Sequence, residues 1–159
     1  MTTIDKLRNT LFMRVFAFMK IPLISYLKPV VEVMDGERCV IRFPLSRRAK
    51  NHLGAMYFGA LCIGADCAGG AIAMKLIYDS GEPIVFVFKD FQADFLKRAE
   101  GDVVFTCTEG PMLRDLVERA RTSGKREEGT VHVVATAPDK LGEEPVARFA
   151  LTISLKKKA

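Results

Sequence analysis

The sequence lacks the compact signatures that mark several large enzyme classes. It contains no G-x-S-x-G, no H-E-x-x-H and no phosphate-binding G-x-x-x-x-G-K-[ST]. Those absences set aside a nucleophile-elbow hydrolase, a zincin-type metalloprotease and a P-loop nucleotidase. Histidine is scarce, with only His52 and His132. The four cysteines (Cys39, Cys62, Cys67, Cys107) form no C-x-x-C pair and no metal-like spacing with those histidines. No metal site and no bound cofactor is therefore expected. Cysteines flanked by apolar neighbours read instead as small core residues of a reducing, cytoplasmic compartment. Repeats, low-complexity tracts and linkers are missing too, so the 159 residues are expected to form one domain, 1–159. The net charge of +5 leaves open a mildly basic surface or an anionic small ligand. Nucleic acid is disfavoured, because the cations are scattered and short of interleaved aromatics.

The first 28 residues form a distinct N-terminal extension ahead of a core spanning 29–159. Within it, "LFMRVFAFMKIPLISYL" is strongly apolar, but Arg14 and Lys20 interrupt it and no small-residue cleavage site follows. It is too broken for a membrane span, which needs about 20 mostly apolar residues. An amphipathic helix fits, with Ile4, Leu7, Leu11, Val15 and Phe18 near one face. That face is expected to pack onto the domain; contact with a membrane surface or the cover of a substrate channel are the alternatives.

Two extended runs follow, "VVEVMD" and "RCVIRFPLS", joined at Asp35-Gly36, a turn signal. Then comes "NHLGAMYFGALCIGADCAGGAIAM", whose length and Ala, Leu and Met content favour a helix closed by "DSGEP". Gly64, Gly69 and Gly70 each cost such a helix up to about 1 kcal/mol relative to Ala, which implies that something grips it closely. Four strand-like runs complete the chain: "IVFVFKDFQADFL", "DVVFTCTEG", "TVHVVATAP" and "PVARFALTISLKKK". Between the second and third, "MLRDLVERARTSGKREEG" reads as a short helix and an exposed, charged loop. Strands on both sides of one long helix indicate an α+β fold, a mainly antiparallel sheet wrapped around that helix. A doubly wound parallel sheet would need alternating helices, which are absent.

One acid, Asp66, sits inside the apolar helix, and the chain leading to it carries the candidate chemistry. Helix N-termini present unpaired N–H groups and partial positive charge. The "MYFG" segment would therefore aim the N–H groups of Phe58 and Gly59 at a carbonyl or a developing oxyanion. Asp66 can act as general base on water or as the nucleophile, and Asn51 can orient water or substrate through its amide. His52, Gly54 and Tyr57 are neighbouring candidates for substrate contact, although His52 is also readily a solvated or structural histidine. Asp90 with Asp94, and His132, read as side chains of a sheet face. Phe58 and Asp66 lie eight residues apart, about 12 Å along one helix. One carbonyl cannot meet both in the same chain, so a complete site is easier to build between two chains related by a two-fold axis.

The spacing Asn51-x-x-Gly54-x-x-Tyr57-Phe58-Gly59, six residues, then Asp66 resembles a motif of hotdog-fold acyl-CoA thioesterases, in particular the phenylacetic-acid-type group and its uncharacterised relatives. That motif reads approximately N-x-x-G-x-x-H-G-G, six residues, Asp or Glu. "FLKRAEGDVVFTC" is similar to the same group's Y-x-x-P-A-x-x-G-D, and the likeness covers roughly residues 29–156. It implies a hotdog fold, a homodimer or homotetramer with the site at the chain interface, and metal-free hydrolysis of acyl-CoA, coenzyme A being part of the substrate. It assigns Asp66 as base or nucleophile, the Phe58 N–H as oxyanion donor and Asn51 as orienting residue. Tyr57-Phe58 replaces the motif's His-Gly, which keeps a non-catalytic acyl-CoA-binding or sensing protein as the alternative.

Overall fold

The structure, a computed structural model, describes residues 2–158. Helix α1 (Thr3–Lys20) opens with a capping box in which Thr2 and Asp5 satisfy each other's backbone donors. Pro22 starts α2 (Pro22–Leu27), which ends at Lys28 in the left-handed region, φ 56°. The expected hairpin follows as β1 (Val30–Met34) and β2 (Cys39–Phe43). The Asp35 carboxylate accepts the N–H groups of Glu37 (2.9 Å) and Arg38 (2.8 Å) at its turn. The long helix α3 runs Phe58–Ser80 and stops at Gly81, φ 66°. After it come β3 (Ile84–Phe95), β4 (Val103–Cys107), α4 (Gly110–Ser123), β5 (Arg126–Thr136), α5 (Pro138–Leu141) and β6 (Pro145–Lys157).

All six strands form one sheet in the order β1-β2-β4-β5-β6-β3, and every pair is antiparallel. The alternation read in the sequence decides its faces. Ile41, Phe43, Val103, Phe105, Val131, Val133, Leu151, Ile153 and Leu155 are fully buried and share the inner face. Helix α3 lies along that face, and α4 closes beside it with Leu113, Leu116 and Ala120, also fully buried. A register shift between Phe88 and Asp90 changes the phase of β3. Phe86 and Phe88 therefore point inward before the bulge, and Phe91, Ala93 and Phe95 after it. Asp90 and Asp94 lie on the opposite, solvated face, as read from the sequence. Because β3 ends the sheet, its outer edge has no strand partner among the described residues.

Small residues set the distance between helix and sheet. A Cβ at Gly64 would lie 2.3 Å from the ring of Phe105, and one at Gly69 3.1 Å from Val131. The grip that the glycines implied is the sheet itself.

Two expectations are corrected. "SGKREEG" is not a loop, since Arg126–Gly129 already belong to β5 and pair with Lys156–Ile153 of β6. Its charges are matched across strands and helices, which lets a polar segment hold a strand. Glu127 meets Arg119 at 2.7 Å, Glu128 meets Lys89 at 2.7 Å, and Arg126 donates to Ser154 at 2.9 Å. The second correction concerns α1, whose apolar face does not pack on the domain. Ile4, Leu7, Leu11, Val15 and Phe18 are 47–75% exposed. The face turned inward is polar: Thr10 accepts the Val31 N–H at 3.0 Å, and Arg14 donates to the carbonyl of Pro29 at 2.9 Å.

Replacing Gly64 by Ala gains helix propensity but drives a methyl into a fully buried ring, and overpacking of this kind costs about 1–3 kcal/mol. Gly64→Ala is thus expected to lower the midpoint of urea unfolding, and a midpoint equal to or above that of the wild type would refute the tight α3–sheet contact.

Candidate active site

The motif residues ahead of α3 build a loop before they build a site. Asn51 Oδ1 accepts the N–H groups of Leu53 (2.9 Å) and Ala55 (3.2 Å), and the Asn51 backbone bonds Gly54 and Ala55. Gly54 closes this turn at φ 80°, a conformation that costs a side-chain-bearing residue about 1–2 kcal/mol. Asn and Gly at this spacing are thus required by the turn. Asn51's carbonyl oxygen is committed to it, leaving Nδ2 as the remaining function of that amide. The loop is then pinned from outside, since the Met56 N–H donates to Ala99 O at 2.9 Å and the Tyr57 N–H to Ala49 O at 2.7 Å.

Tyr57 is the N-cap of α3, with extended backbone (φ −64°, ψ 138°) and no side-chain capping bond. Its carbonyl accepts from Ala60 and Leu61. The N–H groups of Phe58 and Gly59 have no acceptor among the described residues, as the first donors of a helix do not unless something else supplies one. The Tyr57 ring lies 4.7 Å from that of Phe58 and would meet a Cβ on Gly59 at 2.6 Å. It covers one side of the helix head.

Beside this head is a cavity of about 470 Å³, within the usual range for small-ligand sites. One wall is the loop and helix start, with Asn51, His52, Tyr57, Phe58 and Leu61. The other is the segment after β3, Phe95 to Ala99. This second wall did not figure among the sequence-predicted site residues. Its only advance signal was the likeness of "FLKRAEGDVVFTC" to the family motif, and the Met56–Ala99 hydrogen bond is what brings it here. Phe95 packs edge-on against Phe58 at 6.1 Å, and the N–H groups of Leu96 and Lys97 are tied to Val146 O. Lys97 pairs with Glu144, whereas Arg98 has no partner among the described residues.

Asp66 is not in this cavity. It lies two turns further along α3, in a stripe that runs Gly59, Cys62, Ile63, Asp66, Gly70. The last of these faces Phe88 and Phe86 of β3. Asp66 therefore sits on the flank of α3 toward the bare β3 edge. It is partly buried and makes no hydrogen bond or ion pair among the described residues. Burial pushes its carboxyl up from 3.8 to about 6. The structure thus gathers Asn51, His52, Gly54, Tyr57, Phe58 and Gly59 at one end of the helix and leaves Asp66 apart, about 12 Å away along the axis.

The remaining sequence candidates are occupied otherwise. His132 Nδ1 lies 2.7 Å from Glu109 Oε1, and Glu109 also accepts the His132 N–H. That carboxylate caps the part of β5 that the short β4 leaves unpaired. All four cysteines are free thiols.

The Asp66 shift has a consequence for stability. The folded chain holds this proton more tightly than the unfolded chain, so the contribution is complete below about pH 4 and is lost as pH rises through about 6. The loss amounts to up to about 3 kcal/mol. Asp66→Asn should therefore raise the unfolding midpoint at pH 7 and flatten its fall between pH 4 and 6. An unchanged or lower midpoint at pH 7 would show that the carboxylate is stabilised rather than stranded.

The same architecture occurs in solved structures. PA5026 from Pseudomonas aeruginosa, described as a protein of unknown function and probable thioesterase, is 25% identical. The alignment covers 94% of this chain and 96% of that one, at a TM-score of 0.75. OLEI01261 from Chlorobaculum tepidum, of unknown function, aligns over 96% of this chain and 97% of its own at TM-score 0.81 and 12% identity. The thioesterase HI1161 from Haemophilus influenzae aligns over 90% of this chain and 88% of its own, at TM-score 0.65 and 13% identity. The fold is thus the hotdog fold expected from the motif. No curated protein matches the sequence. Residues 8–155 match the domain of unknown function DUF4442, and the chain belongs to that family.

Proposed function

We propose that the protein is a thioester hydrolase acting on acyl-CoA, with each active site completed by two copies of the chain. The observation that carries this reading is a pair of unmatched halves on one helix. At the head of α3, the N–H groups of Phe58 and Gly59 have no acceptor among the described residues and border an apolar cavity. On its flank, Asp66 has no partner among the described residues, and burial pushes its carboxyl up to about 6. A second copy related by a two-fold axis along the bare β3 edge would set its Asp66 against this helix head. The likeness to PA5026, described as a probable thioesterase, supports the reaction class.

In this reading the thioester carbonyl oxygen accepts hydrogen bonds from the Phe58 and Gly59 N–H groups, so charge developing on it is stabilised by donors already in place. Asp66, ionised above pH 6 yet more basic than an ordinary carboxylate, removes a proton from water as the water oxygen bonds to the carbonyl carbon. Collapse of the tetrahedral intermediate breaks the C–S bond. The thiolate leaves and takes up the proton that Asp66 acquired, which frees the acid product. Attack by Asp66 itself on the carbonyl carbon would expel the thiolate and give a mixed anhydride, which water then opens to the free acid and the restored carboxylate, with the same oxyanion donors. Arg98, exposed at the cavity mouth and unpaired among the described residues, suits the phosphates of coenzyme A.

A second reading, an acyl-CoA-binding protein without turnover, is favoured by one feature. Tyr57 stands where the motif has histidine, and its ring packs on the helix head while its hydroxyl makes no hydrogen bond among the described residues. Saturable acyl-CoA binding with no thiol release by any substrate would establish it.

An acyl-CoA panel read by free-thiol release tests the proposal. Asp66→Asn is expected to lower kcat by about 10²–10⁴-fold, and the wild-type rate should rise with pH through about 6. Phe58 is the first residue of α3, where proline is tolerated, and Tyr57 before it is already extended. Phe58→Pro therefore deletes one donor and keeps the helix, and should cost about 10²–10³-fold in kcat. Phe58→Ala keeps the N–H and should change mainly KM. Equal kcat losses for the Pro and Ala variants would remove the oxyanion role.

A further inference from the structure

Helix α1 is amphipathic in the wrong sense for a helix packed on a protein. Its inward side carries Asn9, Thr10 and Arg14, with only Met13, Phe16 and Ala17 as apolar cover. Its outward side is a broad apolar band, Ile4, Leu7, Leu11, Val15 and Phe18, widened by Phe12 and Met19, all exposed, with the exposed Arg8 set within it near its N-terminal end. Helix α2 extends the band with Leu23, 60% exposed, and Tyr26, 53% exposed. Apolar surface this extensive marks a site of interaction.

The charge distribution says with what. Residues 1–28 hold five cations, Lys6, Arg8, Arg14, Lys20 and Lys28, against one acid, Asp5. They therefore carry +4 of the chain's +5. Asp5 is engaged by Arg8 at 3.0 Å and by its capping partner Thr2, and Arg14 is turned inward, which leaves Lys6, Lys20 and Lys28 as the exposed cations without a partner among the described residues. The basic surface continues onto exposed Arg47, Arg48 and Lys50. Arg48 joins the two regions, donating to Tyr26 O at 3.3 Å and stacking on the Tyr26 ring at 4.8 Å. A second copy of this face would bring like charge against like charge. A bilayer with anionic headgroups would instead take the apolar band into its interface and the flanking cations at its charged surface.

We infer that α1 and α2 dock the protein on an anionic lipid bilayer, with the apolar band inserted at the level of the headgroups. Arg48 ties α2 to the segment leading into the α3 cavity, so docking would set that segment close to the membrane. The inference does not depend on the thioesterase reading, because it concerns binding in the absence of any substrate.

Co-sedimentation of the full-length protein with vesicles tests it, using phosphatidylcholine alone and phosphatidylcholine with about one third phosphatidylserine. Wild-type protein should pellet with the mixed vesicles, and its partition should weaken as salt rises. Leu11→Asp with Phe18→Asp should lower that partition by at least about thirtyfold. Lys6→Glu with Lys20→Glu should lower it by about tenfold or more on the mixed vesicles. Circular dichroism should report retained fold, and light scattering an unchanged particle mass. Absence of phosphatidylserine-dependent pelleting, or binding that survives Leu11→Asp with Phe18→Asp, overturns the proposal. So does a fall in particle mass in that variant, which would assign the band to another copy of the chain.

Discussion

The close approach of α3 to the sheet is the constraint on which the rest of the structure depends. Gly64 lies so near Phe105 that no side chain fits between them, and Gly69 and Ala68 continue the same narrow face. A helix seated this deeply can pack along β2, β4, β5 and β6 and still leave a single layer of apolar side chains between helix and sheet. It also fixes which flank of α3 remains uncovered. That flank holds Gly59, Cys62, Ile63 and Asp66, and it faces the strand whose outer edge has no partner among the described residues.

Groups without a protein partner among the described residues stand here at the places where chemistry is proposed. Among the described residues the N–H groups of Phe58 and Gly59 lack acceptors, and Asp66 lacks any partner while burial holds its proton to about pH 6. Together, in the proposed two-chain arrangement, they are a donor pair and a base on opposite sides of one thioester carbonyl. Stability given up at Asp66 is then what keeps its basicity matched to neutral pH.

Much of this was legible in the sequence, because the deciding features are local. Alternating burial in "RCVIRFPLS", the Asp35-Gly36 turn and the small residues of α3 each follow from side-chain size and periodicity over a few positions. The spacing from Asn51 to Asp66 likewise fixes how far apart the helix head and the acid lie along α3. What escaped depended on contacts between distant segments. The second cavity wall, Phe95 to Ala99, exists because Met56 bonds Ala99 more than forty residues away. Charges in "KREEG" suggested a loop, since nothing local reveals that Arg119, Lys89 and Ser154 will match them. The α1 pattern predicted an amphipathic helix but not its orientation, which the Thr10–Val31 and Arg14–Pro29 bonds decide.

The central claim is that the oxyanion donors and the base of each active site come from different chains. Mixing unfolded Asp66→Asn and Phe58→Pro chains in equal amounts and refolding them together tests it directly. Each variant alone is deficient, but half of randomly paired dimers are mixed, and each mixed dimer then holds one intact site. Thiol release should recover to about one quarter of the wild-type rate. A mixture no more active than the two variants refolded separately would contradict a shared site and place both roles within one chain.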